Sequence, residues 1–337
     1  MSRDFADKLA RRQLYGHVPE TEDGSALPDY LAAHFSRFDR AGWIQAIADG
    51  LVTVNDMPAM PEIILKRHDR VAYWPPETPE PDAELTFRVV YEDADLLVID
   101  KPGDLCVHPT GPFFRHTLWH LVGSEYGEIR FVHRIDRETS GLVVAARTRR
   151  MAAAMDNGGT PVYKEYLALV TGDFHGSIHA EGFLVHDNAS TVRKKKRFVF
   201  ANSPEAAEIR LDPTAETAVT DFSEVSHVPP DMTLVRAILG TGRQHQVRAT
   251  LHSLGFPLAG DKLYGPDERF FLKIADNSLT EADCALLRFK RQALHAAVLK
   301  FRHPFTGETI HCESPFPWAD FGLTAPRLCH LVYLLHS

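Results

Sequence analysis

Cysteine is scarce in this chain. Its four residues (Cys106, Cys284, Cys312, Cys329) are scattered through 337 positions and form no Cys-x-x-Cys pair. That excludes a disulfide framework and a cysteine-built zinc site, and it predicts a reducing, cytoplasmic setting. Long apolar runs are also missing: no stretch approaches the roughly 20 residues that cross a bilayer, so no membrane partner is expected. The late apolar segment Leu328 to Leu335 is short and contains His330; it reads as a terminal strand or helix docked on the core. Met1 to Gly16 is charged throughout without an apolar segment, so no signal peptide is expected. Positive charge is not in excess. The net charge of −8 leans against a nucleic-acid surface, which usually leaves a basic footprint. Common catalytic signatures are missing as well: there is no His-Glu-x-x-His, no phosphate-binding Walker loop and no Gly-x-Ser-x-Gly elbow. Gly240-Thr241-Gly242 is an incomplete dinucleotide fingerprint. The 18 histidines are dispersed, and His303 and His311 lack acidic partners at ligand spacing, so no metal is expected.

What is present is ordinary globular composition, 44% hydrophobic and 24% charged. At roughly 150 residues per domain the length suggests two domains. Pro75-Pro76-Glu77-Thr78-Pro79-Glu80-Pro81 carries four prolines in seven residues, a stiff extended linker. It sets the expected organisation: a loosely ordered lead-in over 1–26, a small unit over 27–75, a linker over 76–84 and a main domain over 85–337. Strand signals dominate the main domain, at Leu85–Tyr91, Leu96–Ile99, Leu142–Ala146, Tyr166–Val170, Thr217–Val225, Thr233–Leu239 and Leu294–Phe301. Helical spacing is confined to Arg149–Met155 and to Arg243–Leu254, closed by Gly255. The pattern predicts an α+β fold on a mostly antiparallel sheet.

Three segments could carry chemistry. In His133-Arg134-Ile135-Asp136-Arg137-Glu138-Thr139-Ser140-Gly141 a lone aspartate sits between two arginines, just before a turn and the apolar run Leu142–Ala146. An acid held at a strand mouth among cations stays ionised and aimed, as a nucleophile or base must be. Tyr163-Lys164-Glu165-Tyr166 opens a strand, where alternation puts Lys164 and Tyr166 on one face, a phosphate contact beside a stacking ring. Taken alone, the segment reads more plainly as an amphipathic strand with an ordinary polar face. Gly240-Thr241-Gly242-Arg243-Gln244-His245-Gln246-Val247-Arg248 frees the backbone to turn and then enters a polar helix in which Arg248 could reach a carboxylate elsewhere. A capped surface helix is the plain alternative. Arg193-Lys194-Lys195-Lys196-Arg197 supplies five consecutive cations, either a solvated loop or a local phosphate-binding face. Gly260-Asp261-Lys262-Leu263-Tyr264-Gly265 reads as a tight turn.

In this order, with Asp100-Lys101-Pro102-Gly103, Val107-His108-Pro109, Ala218/Thr220 and Leu294-His295-Ala296, these segments resemble the RluA-type pseudouridine synthases over residue 86 to about 318. Ile135 and Gln244 depart from the commoner leucine and threonine or serine. The 27–75 unit resembles, more weakly, the small RNA-binding module named after ribosomal protein S-four, although it lacks a strong basic face. The resemblance implies isomerisation of uridine to pseudouridine in ribosomal or transfer RNA, by a monomer acting on RNA rather than DNA, with no cofactor and no metal. It implies Asp136 as nucleophile, attacking either the ribose or the uracil ring, Arg248 as its ion-pair partner, and Tyr166 stacked on the base. Arg134 would fill the gap left by an extruded base. Lys101, His133, Lys164, Arg243, His245 and Gln246, with the 193–197 run, would contact RNA. Two other readings differ in kind. A non-catalytic RNA-binding protein would not need Asp136, Tyr166 and Arg248 together. A retaining glycosidase needs a second carboxylate about 5 Å away, for which Glu138 is the nearest in sequence.

Overall fold

A computed structural model describes residues 3–156, 160–276 and 278–325. They form two compact units. The first runs to Pro81 and adds Thr110–Arg115 and Val122–Glu128. It contains α1 (Arg3–Ala10), β1 (Leu14–His17), α2 (Leu27–His34), α3 (Arg40–Ala48), β2 (Val52–Val54), β3 (Met57–Pro58) and β4 (Arg70–Tyr73). The strands form one sheet in the order β1-β4-β2-β3. Leu27, Leu31, Trp43, Ile47, Val52 and Val71 make its core, and Asp39 caps α3 by accepting from Gly42 N at 2.8 Å.

The segment read as a loose lead-in is ordered instead. Phe5 and Leu9, one turn apart on α1, are buried, and β1 pairs antiparallel with β4. Polar neighbours mask those two apolar residues in the sequence, and one helical turn suffices to align them.

The second unit comprises Asp82–Pro109, His116–Leu121 and the described residues from Ile129 onward. Its sheet holds eleven strands: β5 (Arg88–Glu92), β6 (Leu96–Lys101), β7 (Arg130–Phe131), β8 (Ser140–Ala146), β9 (Tyr163–Thr171), β10 (Ser177–His186), β11 (Lys196–Phe200), β12 (Glu216–Val228), β13 (Met232–Leu239), β14 (Leu294–Arg302) and β15 (Thr309–Glu313). The main path is β11-β10-β12-β13-β9-β14-β8-β6-β5, with β15 on β14 and β7 on β8. Every described pairing in this sheet is antiparallel except β14 with β8, so the α+β, mostly antiparallel expectation holds.

The seven expected strands end within three residues of the observed ones. Strands β6 and β8, interior but near one end of the sheet, are buried along nearly their whole length and therefore read as unbroken apolar runs. Strand β10 was not legible: its Ser-Ile-His-Ala-Glu-Gly start buries only alternate residues. The parallel pairing of β14 on β8 explains the glycine that ends the Asp136 motif. A Cβ on Gly141 (φ +105°) would lie 2.2 Å from Ala296 O, so only glycine allows β14 to approach. The helix expected over Arg243–Leu254 begins later, at Gln246. The cause is His245, whose left-handed backbone (φ 60°, ψ 14°) breaks the helix at its cap. Leu328 to Leu335 lies outside the described residues.

Candidate active site

The Asp136 loop leaves β7 and returns into β8. The Gly240–His245 loop leaves β13 and enters the helix Gln246–Ser253. Between them lies a cleft of about 170 Å³ lined by Arg134, Asp136, Tyr166, Arg243, His245 and Arg248. The fold thus brings together residues from three separated motifs.

Arg248 is the centre of the arrangement. Its Nη1 donates to Asp136 Oδ2 at 2.7 Å, while Nε and Nη2 donate to Asp261 Oδ2 and Oδ1 at 2.7 and 2.8 Å. One guanidinium therefore bridges two carboxylates, a geometry that needs its planar fork. Burial opposes ionisation of Asp136 and is the strongest single influence. The Arg248 cation, with hydrogen bonds from Arg248 and Gln292, outweighs it and holds the carboxyl below its usual range.

Asp261 was missed as a functional residue, because the turn reading of Gly260–Gly265 gave its carboxylate no partner. It is fully buried, and besides Arg248 it accepts from Leu263 N and Tyr264 N, both at 2.9 Å. Burial pushes its carboxyl up, but Arg248 and these hydrogen bonds hold it at about 2. The turn is built for this: a Cβ on Gly265 would lie 2.0 Å from Asp261 O. An acid between two glycines was the available signal.

Tyr166 on β9 walls the cleft. Burial, reinforced by the Asp136 anion, raises its phenol above the ordinary value, so it stays protonated at neutral pH. Lys164, two residues before it on β9, brings its ammonium to the Gly242 loop: a Cβ there would sit 3.5 Å from Nζ. Arg134 and Arg243 are exposed along the cleft, and Arg243 Nε donates to Thr217 O at 3.1 Å. His245 is buried beside Asp136, its Nε2 3.9 Å from Oδ1.

Two residues expected to contact RNA, Lys101 and Gln246, are instead built into the protein, and a third, His133, is half-buried. Lys101 is 1% exposed, and its ammonium donates to Pro102 O, Leu105 O and Arg137 O at 2.7, 2.9 and 3.0 Å. An ammonium has three hydrogens, so none is left for a phosphate. Gln246 is 2% exposed. Its Oε1 accepts from the Thr241 hydroxyl and Arg243 N, and its Nε2 donates to Val219 O and Thr220 Oγ1, all within 2.8–2.9 Å; it clasps the glycine loop. His133 Nε2 accepts from Val144 N at 3.3 Å, and burial, then Lys164, hold the ring neutral, down to about 3.

The basic run is largely neutralised locally. Lys195 pairs with Glu268 at 2.9 Å, Arg197 with Glu205 at 2.9 Å, and Lys196 with Glu216. Lys194 lies over the Phe271 ring at 4.0 Å. Glu138 is engaged with Lys262 Nζ at 2.7 Å and Gln292 N at 3.1 Å. Among the described residues no group of three or more His, Cys, Asp or Glu is placed to hold a metal ion, and no helix is long and apolar enough to cross a membrane.

Residues 95–253 match the RNA pseudouridylate synthase family. The chain belongs to the RNA pseudouridine synthases of RluA type, isomerases of uridine in RNA. Ribosomal large subunit pseudouridine synthase D of Vibrio cholerae is 31% identical over 324 residues, 90% of this chain and 92% of that protein. An RNA pseudouridine synthase of Bacillus subtilis, YlyB, is 31% identical over 316 residues, 88% of this chain and 92% of that one. In fold, the chain is similar to human RNA Pseudouridylate Synthase Domain Containing 1, with a TM-score of 0.56 at 22% identity, covering 77% of this chain and 98% of that chain.

Proposed function

We propose that this enzyme converts uridines of large-subunit ribosomal RNA to pseudouridine with Asp136 as the nucleophile. The observation that carries the assignment is the Asp136–Arg248 pair at 2.7 Å in a cleft walled by Tyr166. The names of similar proteins such as the Vibrio cholerae synthase point to the ribosomal substrate.

The reaction breaks the N-glycosidic bond, turns the uracil and joins its C5 to the same ribose carbon; C5 releases its hydrogen as a proton and N1, freed from the sugar, takes one up. Atoms and electrons balance within the nucleotide, so its stoichiometry calls for no cofactor, oxidant or hydrolytic water. Attack by Asp136, on ribose or on ring, requires the carboxylate ionised and aimed, and Arg248 does both. The target nucleotide must leave its stack to enter the cleft, at about a few kcal/mol, less in a loop than in a duplex. Arg134, exposed at the rim, fills the space the base leaves. Tyr166 stacks on the uracil; its raised phenol suits it to stacking and hydrogen-bond donation rather than to abstracting a proton near pH 7. Lys164 and Arg243 flank the cleft as phosphate contacts.

The test is a map of pseudouridine across total ribosomal and transfer RNA in a strain lacking the protein, with wild type or Asp136→Asn added back. Loss of large-subunit sites on deletion, restored by wild type alone, is the expected result. Restoration by Asp136→Asn refutes the nucleophile, and loss confined to transfer RNA refutes the substrate.

A further inference from the structure

Asp136 has one oxygen that Arg248 does not hold. Oδ2 accepts from Arg248, and Oδ1 faces His245 Nε2 at 3.9 Å. The surroundings of His245 decide which atom it offers. Its Nδ1 lies 3.1 Å from the hydroxyl of Tyr264, a side chain with no exposure, and the two rings meet edge to face at 5.6 Å. The same hydroxyl oxygen accepts from Lys196 N at 3.0 Å. A phenol has a single hydrogen to give. Among the described residues Nδ1 is the acceptor within its reach, and a hydrogen on Nδ1 would leave the buried phenol proton unsatisfied. An imidazole that accepts at Nδ1 and is uncharged carries its hydrogen on Nε2. Burial, then the Arg248 cation, oppose charging this ring. Its backbone is left-handed, φ 60°, a conformation that non-glycine residues adopt rarely and that concentrates at functional sites.

We propose that His245 is a positioning residue for the nucleophile: Tyr264 fixes its hydrogen on Nε2, and Nε2–H clasps Oδ1 of Asp136 when the target nucleotide closes the site. The inference rests on Asp136 being the reacting carboxylate. At 3.9 Å the contact is longer than a hydrogen bond, and such contacts shorten when a site without substrate fills. A neutral donor suits the task. It orients the second oxygen, whereas a second full cation would stabilise the carboxylate further and blunt its attack.

Two measurements on the full-length enzyme test this. The ¹⁵N-histidine spectrum, with His245 assigned by its absence from His245→Gln, should show hydrogen on Nε2 and a bare Nδ1 across about pH 6 to 8. Hydrogen on Nδ1 overturns the proposal. This reading is made on the unaltered protein, so it stands whether or not any variant folds. Single-turnover kinetics supply the second. His245→Ala should lower kcat by about tenfold to a hundredfold with KM little changed. His245→Gln, whose amide nitrogen reaches as far as Nε2, should restore most of the loss. His245→Asn, which reaches only as far as Nδ1, should not. Wild-type kcat in the alanine variant, or equal rescue by Asn and Gln, overturns the proposal. Asp136→Asn is run alongside: turnover there removes the nucleophile reading itself, while a dead Asp136→Asn beside an unaffected His245→Ala removes only the role of His245.

Discussion

Replacing Arg248 with lysine keeps the charge and destroys the fork, and its consequence can be worked from the geometry. A lysine ammonium is a compact point charge that cannot span two carboxylates as three guanidinium N–H groups do. Asp261 has no exposure to water, whereas the Asp136 side chain is 29% exposed. The ammonium therefore stays with Asp261, whose remaining partners are two neutral backbone N–H groups, and Asp136 loses its 2.7 Å partner. A hydrogen bond to a charged group contributes about 1.5–3 kcal/mol, and about 1.4 kcal/mol corresponds to one pKa unit. The Asp136 carboxyl then moves upward, and its burial pushes in the same direction. The deprotonated form is the active one, so a raised pKa removes activity at low pH. In wild type the carboxyl ionises below the ordinary aspartate value near 3.9, and kcat/KM should be flat from about pH 5 to 8 on this account. In Arg248→Lys the acid limb should move to higher pH than in wild type, on top of an about tenfold to hundredfold loss at neutral pH from misorientation. Release of tritium from RNA carrying 5-tritiated uridine reports each turnover, because the new carbon–carbon bond displaces the C5 hydrogen. A pH profile of Arg248→Lys parallel to wild type would refute the argument that Arg248 keeps Asp136 ionised.

Asp261→Asn keeps shape but turns an acceptor into a donor against Arg248. Breaking a buried pair costs about 3–5 kcal/mol, so the denaturant midpoint of the second unit should fall clearly, and an unchanged midpoint would contradict the role given to Asp261. Lys101→Met should lower stability by stranding three carbonyls, about 1–3 kcal/mol for each buried group, while the salt dependence of RNA binding stays at the wild-type slope; a slope reduced by about one contacted phosphate would show that Lys101 reaches RNA. Tyr166→Phe should keep single-turnover rates within about tenfold because stacking survives, whereas Tyr166→Ala should lose more, base stacking being worth about 1–3 kcal/mol. Equal losses in the two variants would move the role from the ring to the hydroxyl.

Family, fold class and the chemistry-bearing segments were legible in the chain before any coordinates. Apolar runs of two kinds, unbroken at Leu96–Ile99 and Leu142–Ala146 and alternating around Ala218–Phe222, reflect strands covered on two faces or on one, and that pattern is local. Asp136 was legible as well, because an acid between arginines at the mouth of a buried strand leaves its mark within a few residues. The destination of each long polar side chain was not legible. Lys101, Lys164 and Lys194 look alike in sequence, yet one is spent on three buried carbonyls, one faces the glycine loop and one lies on Phe271. Arg248 meets Asp136 across 112 residues and Asp261 across 13, and Gln246 is drawn inward to hold the loop that precedes it. Sequence determined which elements form and which groups are available. Tertiary structure alone decided which cation meets which carboxylate, because hydrogen bonds and ion pairs act within a few ångströms and only folding sets those distances.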